Sequence, residues 1–371
     1  MTLNSTNMPG LQPTTVSTTN STNLLDDQTL ALFKNTTVSN LISAIYLLIT
    51  IVNLTSNGMA LYLLLCRTSP KTPTIIFMIN LTLTDLAVGC VLPFQIHYQL
   101  AGYNWTIGYV SCTIVTAVFY TNMYCSILTM TAISVDRYLG IVKPLLFREI
   151  REKTMYAVAL CTFMWGVVLG ILYPLLKADL LYPVNDLGIT TCFDVIRMDL
   201  LPSIAHWAGF FGVMFLFFFL IPFVVTIFCY VSIICKLAND THQNEQKGKV
   251  VRLAIIVMFV FVACFAPNNI LMIVHAVSRL YYKRSLYMAY KLSLTLSCVN
   301  SCLDPFILYF ACKEFRRKLR RMLRLPTLSS VDTHVGLKED LYSMRSHPED
   351  EVFSCNGETR ILRIDSMLSD Q

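Results

Sequence analysis

Seven apolar stretches, each as long as a helix needs to cross a bilayer, constrain this chain more than any other feature. They run approximately over Leu41–Cys66, Thr74–Leu100, Ser111–Val135, Met155–Leu176, Ile204–Leu237, Val250–Val277 and Leu286–Cys312, and a helical span takes about 20 residues. Within hydrocarbon every backbone polar group must be satisfied inside the protein, which leaves only helices or closed barrels. A barrel would show alternating segments of about ten residues, and the sequence has no such pattern. Only 14% of the 371 residues are charged while 55% are hydrophobic, against about 25% charged in soluble domains. The expected fold class is an all-α membrane protein: a seven-transmembrane helix bundle, extended by a short cytoplasmic amphipathic eighth helix.

Lys and Arg set the expected orientation, because cytoplasmic loops carry an excess of them. One set of loops holds Arg67, Lys71, Lys143, Arg148, Arg151, Lys153, Lys236, Lys247, Lys249 and Arg252, and a cluster from Lys313 to Arg324 follows the last span. This bias with an odd number of spans places the N terminus outside and the C terminus in the cytoplasm of a multi-pass plasma-membrane protein. Residues 1–40 form a Ser-, Thr- and Asn-rich leader, expected to be disordered, with no signal-peptide pattern. Its Asn4, Asn20 and Asn35 begin glycosylation sequons. The bundle takes 41–312, and residues 310–325 read as an interfacial helix with Phe310, Phe315, Leu319 and Leu323 among basic neighbours. Residues 326–371 form a Ser- and Thr-containing tail, expected to be disordered and suited to phosphorylation. Of thirteen Cys, only Cys112 and Cys192 stand where an oxidising compartment reaches them. They are the expected disulfide.

Polar groups inside the spans are costly, and they usually mark function. Asp136-Arg137-Tyr138 stands at the inner end of the third span. Asn57 lies in the first, Asn80 and Asp85 in the second, Asn122 and Ser126 in the third and Trp165 in the fourth. Pro222 and Tyr230 are in the fifth span, Phe261-x-x-Cys264-Phe265-x-Pro267 in the sixth, and Asn300-Ser301-x-x-Asp304-Pro305-x-x-x-Tyr309 in the seventh. In this order the set resembles the landmarks of the rhodopsin family of G-protein-coupled receptors over roughly 41–325. Ile76–Asp85, Leu92–Tyr98, Phe119–Thr131 and Ser301–Pro305 are similar to the metabotropic purinoceptor branch. The segments Cys264–Asn269 and Leu187–Asp194 narrow the resemblance to one member of its numbered series.

The resemblance implies activation of heterotrimeric G proteins, of the twelve/thirteen or inhibitory class, through Asp136, Arg137, Tyr138, Tyr230 and Tyr309. Arg137 is expected to lie against Asp136 at rest and to turn towards Tyr230 on activation. The family places its seventh-span Tyr at the position held here by Leu308; Tyr309 follows one residue later, about 100° further round the helix. Asp85, Asn57, Asn122, Ser126, Asn300 and Asp304 form a polar set for which the family implies an allosteric sodium ion as the sole cofactor, with Asp85 as its carboxylate ligand. A purely hydrogen-bonded network is the alternative. Pro222, Pro267 and Pro305 remove backbone bonds and bend their helices.

Amine receptors of the family anchor their ligand with an acid where this chain has Phe119. The outer side carries Lys177, Arg197, Arg279, Lys283, Arg284 and Lys291 instead, and basic groups favour an anionic ligand. Nucleotide-responding members carry His and Arg where this chain has Asn269 and Met272. The expected ligand is therefore a small extracellular anion, lipid-like or lipid-conjugated, on Lys291 with Lys177, Arg197 or Arg279. Tyr98, Phe119, Tyr120 and Tyr124 are expected along its path. A nucleotide-activated receptor is the alternative. Arrestin and receptor kinases on the tail and membrane lipids complete the expected partners; nucleic acid is not one. No zinc-ligand pair, nucleophile elbow or phosphate loop is present, so the chain is not expected to be an enzyme. A transporter, the rival of another class, often shows internal repeats, and none is visible.

Overall fold

The computed structural model describes residues 33–69, 71–144, 154–185, 187–193, 203–239, 245–282, 286–311 and 313–323. Among them are seven helices long and apolar enough to cross a membrane. Helix α1, Thr36–Tyr62, begins before the expected boundary at Leu41, because Asn35 caps it: its Oδ1 accepts from the Thr37 and Val38 N–H groups at 3.1 and 3.2 Å. Such a cap contributes about 1 kcal/mol. The helix ends in a π-helical turn, Leu63–Arg67. Helix α2, Pro73–Leu100, starts at Thr72 with Pro in the first turn, where its missing N–H costs nothing. Helix α3, Tyr109–Val142, runs past the expected end at Val135, and α4 is Thr154–Lys177.

An antiparallel hairpin follows, β1 (Leu181–Val184) and β2 (Ile189–Cys192), with Leu181 opposite Cys192. The end of the bundle that carries it is termed outer. Helix α5 has an outer half, Ile204–Phe215, and an inner half, Ile221–Asn239, joined by a π-helical turn Leu216–Leu220. There the Ile221 N–H bonds to Leu216 O, five residues back. Pro222, which has no N–H to give, stands next to this irregularity. Helices α6 (Glu245–Tyr282), α7 (Tyr287–Ala311) and α8 (Lys313–Met322) complete the chain.

The bundle is polar at its centre and apolar where it meets lipid. Phe163 is 65% and Phe259 71% exposed, whereas Asp85, Asn53 and Asn57 are wholly buried. Helix α3 runs through the middle against α2, α4 and inner α5. Asn80 ties three helices together: its Nδ2 donates to Thr129 Oγ1 and its Oδ1 accepts from Trp165 Nε1, both at 2.9 Å. Close approach of α1 and α2 depends on Gly89, where a Cβ would stand 2.8 Å from Leu54 Cδ2 and 3.0 Å from Asn53 Nδ2. Phe315 buries against the inner ends of α1 and α2, which docks α8.

Candidate ligand cavity, polar core and inner coupling site

The outer cavity opens between α2, α3, α5, α6 and α7 and contains about 970 Å³ of non-atom space. Phe119, Tyr120 and Tyr124 project from α3 as expected, Met272 and His275 from α6, and Tyr290, Lys291 and Leu294 from α7. Tyr120 and Tyr290 join hydroxyls at 2.6 Å, and His275 stacks on Tyr290 at 5.7 Å. The His275 Nδ1 accepts from the Leu286 N–H at 3.0 Å, so a neutral ring carries its proton on Nε2. Lys291 is 4% exposed, with its Nζ 6.0 Å from the Tyr98 ring centroid and 5.9 Å from that of Tyr287. It is the one Lys or Arg among the described residues that line this cavity. Aromatic faces lower the cost of holding such a cation away from water.

Three expectations about this site change. Lys177 does not reach the cavity: it is exposed, 5.7 Å over the ring of Tyr173 one turn earlier, on a different face of α4 from the cavity-lining Leu172 and Leu175. Tyr98 stands behind the wall. Its hydroxyl accepts from the Cys192 N–H at 3.4 Å and its ring packs on Trp105. Arg197, Lys283 and Arg284 lie outside the described residues, as does the side chain of Arg279 on α6. Asn269 and Met272 hold no cation, as expected: Asn269 Nδ2 donates to Phe265 O at 2.9 Å, and Met272 Sδ accepts from the Tyr124 hydroxyl at 3.6 Å. The expected Cys112–Cys192 disulfide is present, with Cα atoms 5.8 Å apart.

Below the cavity, Asn122 Nδ2 donates to Asp85 Oδ1 at 3.1 Å and Asn300 Nδ2 to Asp304 Oδ2 at 2.8 Å. Asp85 and Asp304 face each other closely enough to interact directly. Asn57 Nδ2 donates to Ser301 O and to Asn53 Oδ1, both at 2.7 Å, and Asn53 Nδ2 donates to Asp85 O at 2.8 Å. Sequence reasoning misses Asn53, which it sees only as the start of an unusable sequon. Asp85 Oδ2, Asp304 Oδ1, Asn300 Oδ1, Ser126 Oγ and Asn57 Oδ1 are buried without a hydrogen-bond partner. Buried polar atoms are normally satisfied, and a set made wholly of oxygens fits a small hard cation. No group of three or more His, Cys, Asp or Glu side chains suited to a metal is found among the described residues, so neutral oxygens would have to complete the shell.

At the inner end, Arg137 and Tyr230 line a second cavity with Met130, Ile133, Val257 and Leu308. The expected contact between Arg137 and Asp136 is not made. Asp136 is taken by two hydroxyls, Thr74 Oγ1 donating to Oδ2 at 2.7 Å and Tyr156 donating to Oδ1 at 3.0 Å. Tyr138 packs on Phe228 of α5, ring centroids 5.6 Å apart. Tyr309 does not enter this cavity; Leu308 does. The Tyr309 hydroxyl accepts from Arg320 Nε at 3.1 Å, which fastens α7 to α8.

A family model described as the 7 transmembrane receptor (rhodopsin family) matches residues 56–308. The chain belongs to the rhodopsin family. It is a G-protein-coupled receptor, not an enzyme. Purinoceptor 8 of Gallus gallus, of the metabotropic series, is 45% identical to it over 326 residues, 87% of this chain and 90% of the relative. A human protein named S-geranylgeranyl-glutathione receptor P2RY8 is 46% identical, over 86% of this chain and 89% of its own. The narrowing drawn from Cys264–Asn269 and Leu187–Asp194, to the eighth purinoceptor, agrees with both. Proteinase-activated receptor 1 of Xenopus laevis is 35% identical over 81% of this chain and 70% of the relative. The receptor's outer cavity also uses residues its sequence did not single out: Trp207, Phe210, Phe211 and Met214 of α5, and Phe193 after the disulfide. The aromatic run in α5 was a visible signal for them, but it does not distinguish cavity from lipid.

Proposed function

We propose that this receptor binds an anionic amphiphile in its outer cavity and passes the signal to a heterotrimeric G protein at the cavity lined by Arg137 and Tyr230. The observation that carries the reading is Lys291, a buried cation in a wall otherwise built from aromatic and apolar side chains. A wall of this kind gives a single fixed point for a carboxylate or phosphate and a large surface for a hydrocarbon chain. The human relative is named for S-geranylgeranyl-glutathione, a compound that joins a prenyl chain to a peptide bearing carboxylates. That chemistry matches the cavity. The charge pattern favours an N terminus outside the plasma membrane, and arrestin and receptor kinases are the expected readers of the tail.

The polar core is proposed as a sodium site on Asp85 and Asp304, supported by the partnerless oxygens around them. The test of the ligand reading is a dose–response series with S-geranylgeranyl-glutathione, nucleotides and amines on wild-type and Lys291→Ala receptor. A charge-assisted hydrogen bond is worth about 1.5–3 kcal/mol, so the prenyl conjugate should lose roughly tenfold or more in potency on the variant. A potent amine or neutral agonist, or an unshifted curve, would overturn the reading.

A further inference from the structure

The roof and the side wall of the outer cavity are built differently. From above it is covered. Phe33, 6% exposed, lies on Tyr103 and Tyr287 with ring centroids 4.7 and 5.8 Å away. The hairpin is tied down by the Cys112–Cys192 bond, by the Trp105 N–H donating to Thr190 O at 2.7 Å and by the Thr190 N–H donating to Asn104 Oδ1 at 3.0 Å. Phe193 takes a left-handed backbone conformation, φ 58°, and sets its ring edge-on to Tyr120 at 5.6 Å. A non-Gly residue adopts that conformation only when its surroundings hold it there.

The side between α4 and α5 is another matter. Leu172 and Leu175 of α4 and Trp207, Phe210, Phe211 and Met214 of α5 all line the cavity. The outer half of α5, however, packs on α6 and on its own π turn rather than on α4. The two helices therefore flank the cavity without closing it by mutual packing. Trp207 stacks on Phe211 at 5.4 Å, and Phe210 meets Phe211 edge-on at 5.6 Å. The result is an apolar jamb between cavity and bilayer. Lys291 stands on α7, remote from it in the helix order.

We propose that the α4–α5 seam holds the apolar chain of the ligand and is the gate through which the ligand enters from the outer leaflet. This rests on the anionic-amphiphile reading, with the head group at Lys291. A chain dissolved in the bilayer is already out of water, so sideways entry does not re-expose it. Entry from above would have to displace Phe33 and a hairpin held by a covalent bond. The chain, not a resident phospholipid, is the occupant, because only a molecule with an anionic head uses Lys291 and the seam together.

The test uses full-length receptor in lipid nanodiscs and a long-chain carboxylate with a photoreactive diazirine at its far end. After irradiation and digestion, adducts on wild-type receptor should concentrate on the peptides carrying Leu172–Leu175 and Trp207–Met214, and unlabelled carboxylate should remove most of them. Adducts confined to other helices, or no competable adducts, would overturn the seam. So would equal labelling by a zwitterionic phospholipid bearing the same group, which would make the seam an ordinary lipid contact. Lys291→Ala separates the two readings. Competable adducts that stay on the seam at wild-type yield support the gate and sink the head-group assignment, whereas a loss of most of the yield supports both.

Discussion

At the residue scale the most consequential arrangement is Asp136 held by Thr74 and Tyr156. A carboxylate that already accepts from two hydroxyls has less to gain from an arginine, and Arg137 is left facing the inner cavity. Tyr156→Phe removes one competitor and so should favour the Asp136–Arg137 contact, lowering ligand-independent nucleotide exchange on a reconstituted G protein. A basal rate that rises or stays level would count against the clamp. Arg137→Ala should abolish stimulated exchange while ligand binding persists. Leu308 adds a second point. It occupies the place from which the family's Tyr would reach Tyr230, so Leu308→Tyr should strengthen the stimulated response if that hydroxyl pair matters here, and equal maximal exchange in variant and parent would argue that it does not.

At the element scale, Gly89 decides how closely α1 and α2 lie. Gly89→Ala places a methyl group against Leu54 and Asn53, and overpacking of this kind costs about 1–3 kcal/mol. The variant should lose ligand-binding activity at lower temperature than its parent. Unchanged thermal inactivation would show that Leu54 simply moves aside. The helices themselves were legible in the sequence because about 20 apolar residues in a row admit few other structures in a bilayer. Their rotation about the axis was not. Lys177 and Tyr98 sit on helices whose spans were placed well, yet one faces away from the cavity and the other stands behind its wall. A side chain's direction is set by packing between helices, which a list of apolar stretches does not contain. Arg137 was placed at the right end for the same reason that its partner was misread: depth follows from position along the helix, whereas pairing follows from neighbours such as Thr74 and Tyr156 on other helices. The two π-helical turns were likewise invisible, although Pro222 marks one of them.

At the scale of the whole molecule, the polar core lies between the outer and inner cavities, and any coupling must run past it. Asp85 and Asp304 come from α2 and α7, and Asn57, Asn122 and Ser126 from α1 and α3, so a cation bound there would cross-link four helices. A ligand shifts a conformational equilibrium only by its difference in affinity for the two states. Agonist binding that loosens this cluster should thus be opposed by sodium. Asp85→Asn should remove most of the sodium dependence of agonist affinity in equilibrium binding, while potassium controls stay flat in both proteins. Sodium dependence equal to wild type would favour the purely hydrogen-bonded network.

Phe33 carries a consequence for how this chain can change over generations. It precedes the first residue of α1, in a part of the sequence whose composition invites drift, yet its ring is packed on Tyr103 and Tyr287. Selection should treat it as one unit with those two tyrosines. In a saturation scan scored by signalling, tolerance at Phe33 should resemble that of a buried helix position, admitting Tyr, Trp or Leu and rejecting Asp or Gly. Where descendants of this gene lose the ring at 33, a compensating change at 103 or 287 should accompany the loss.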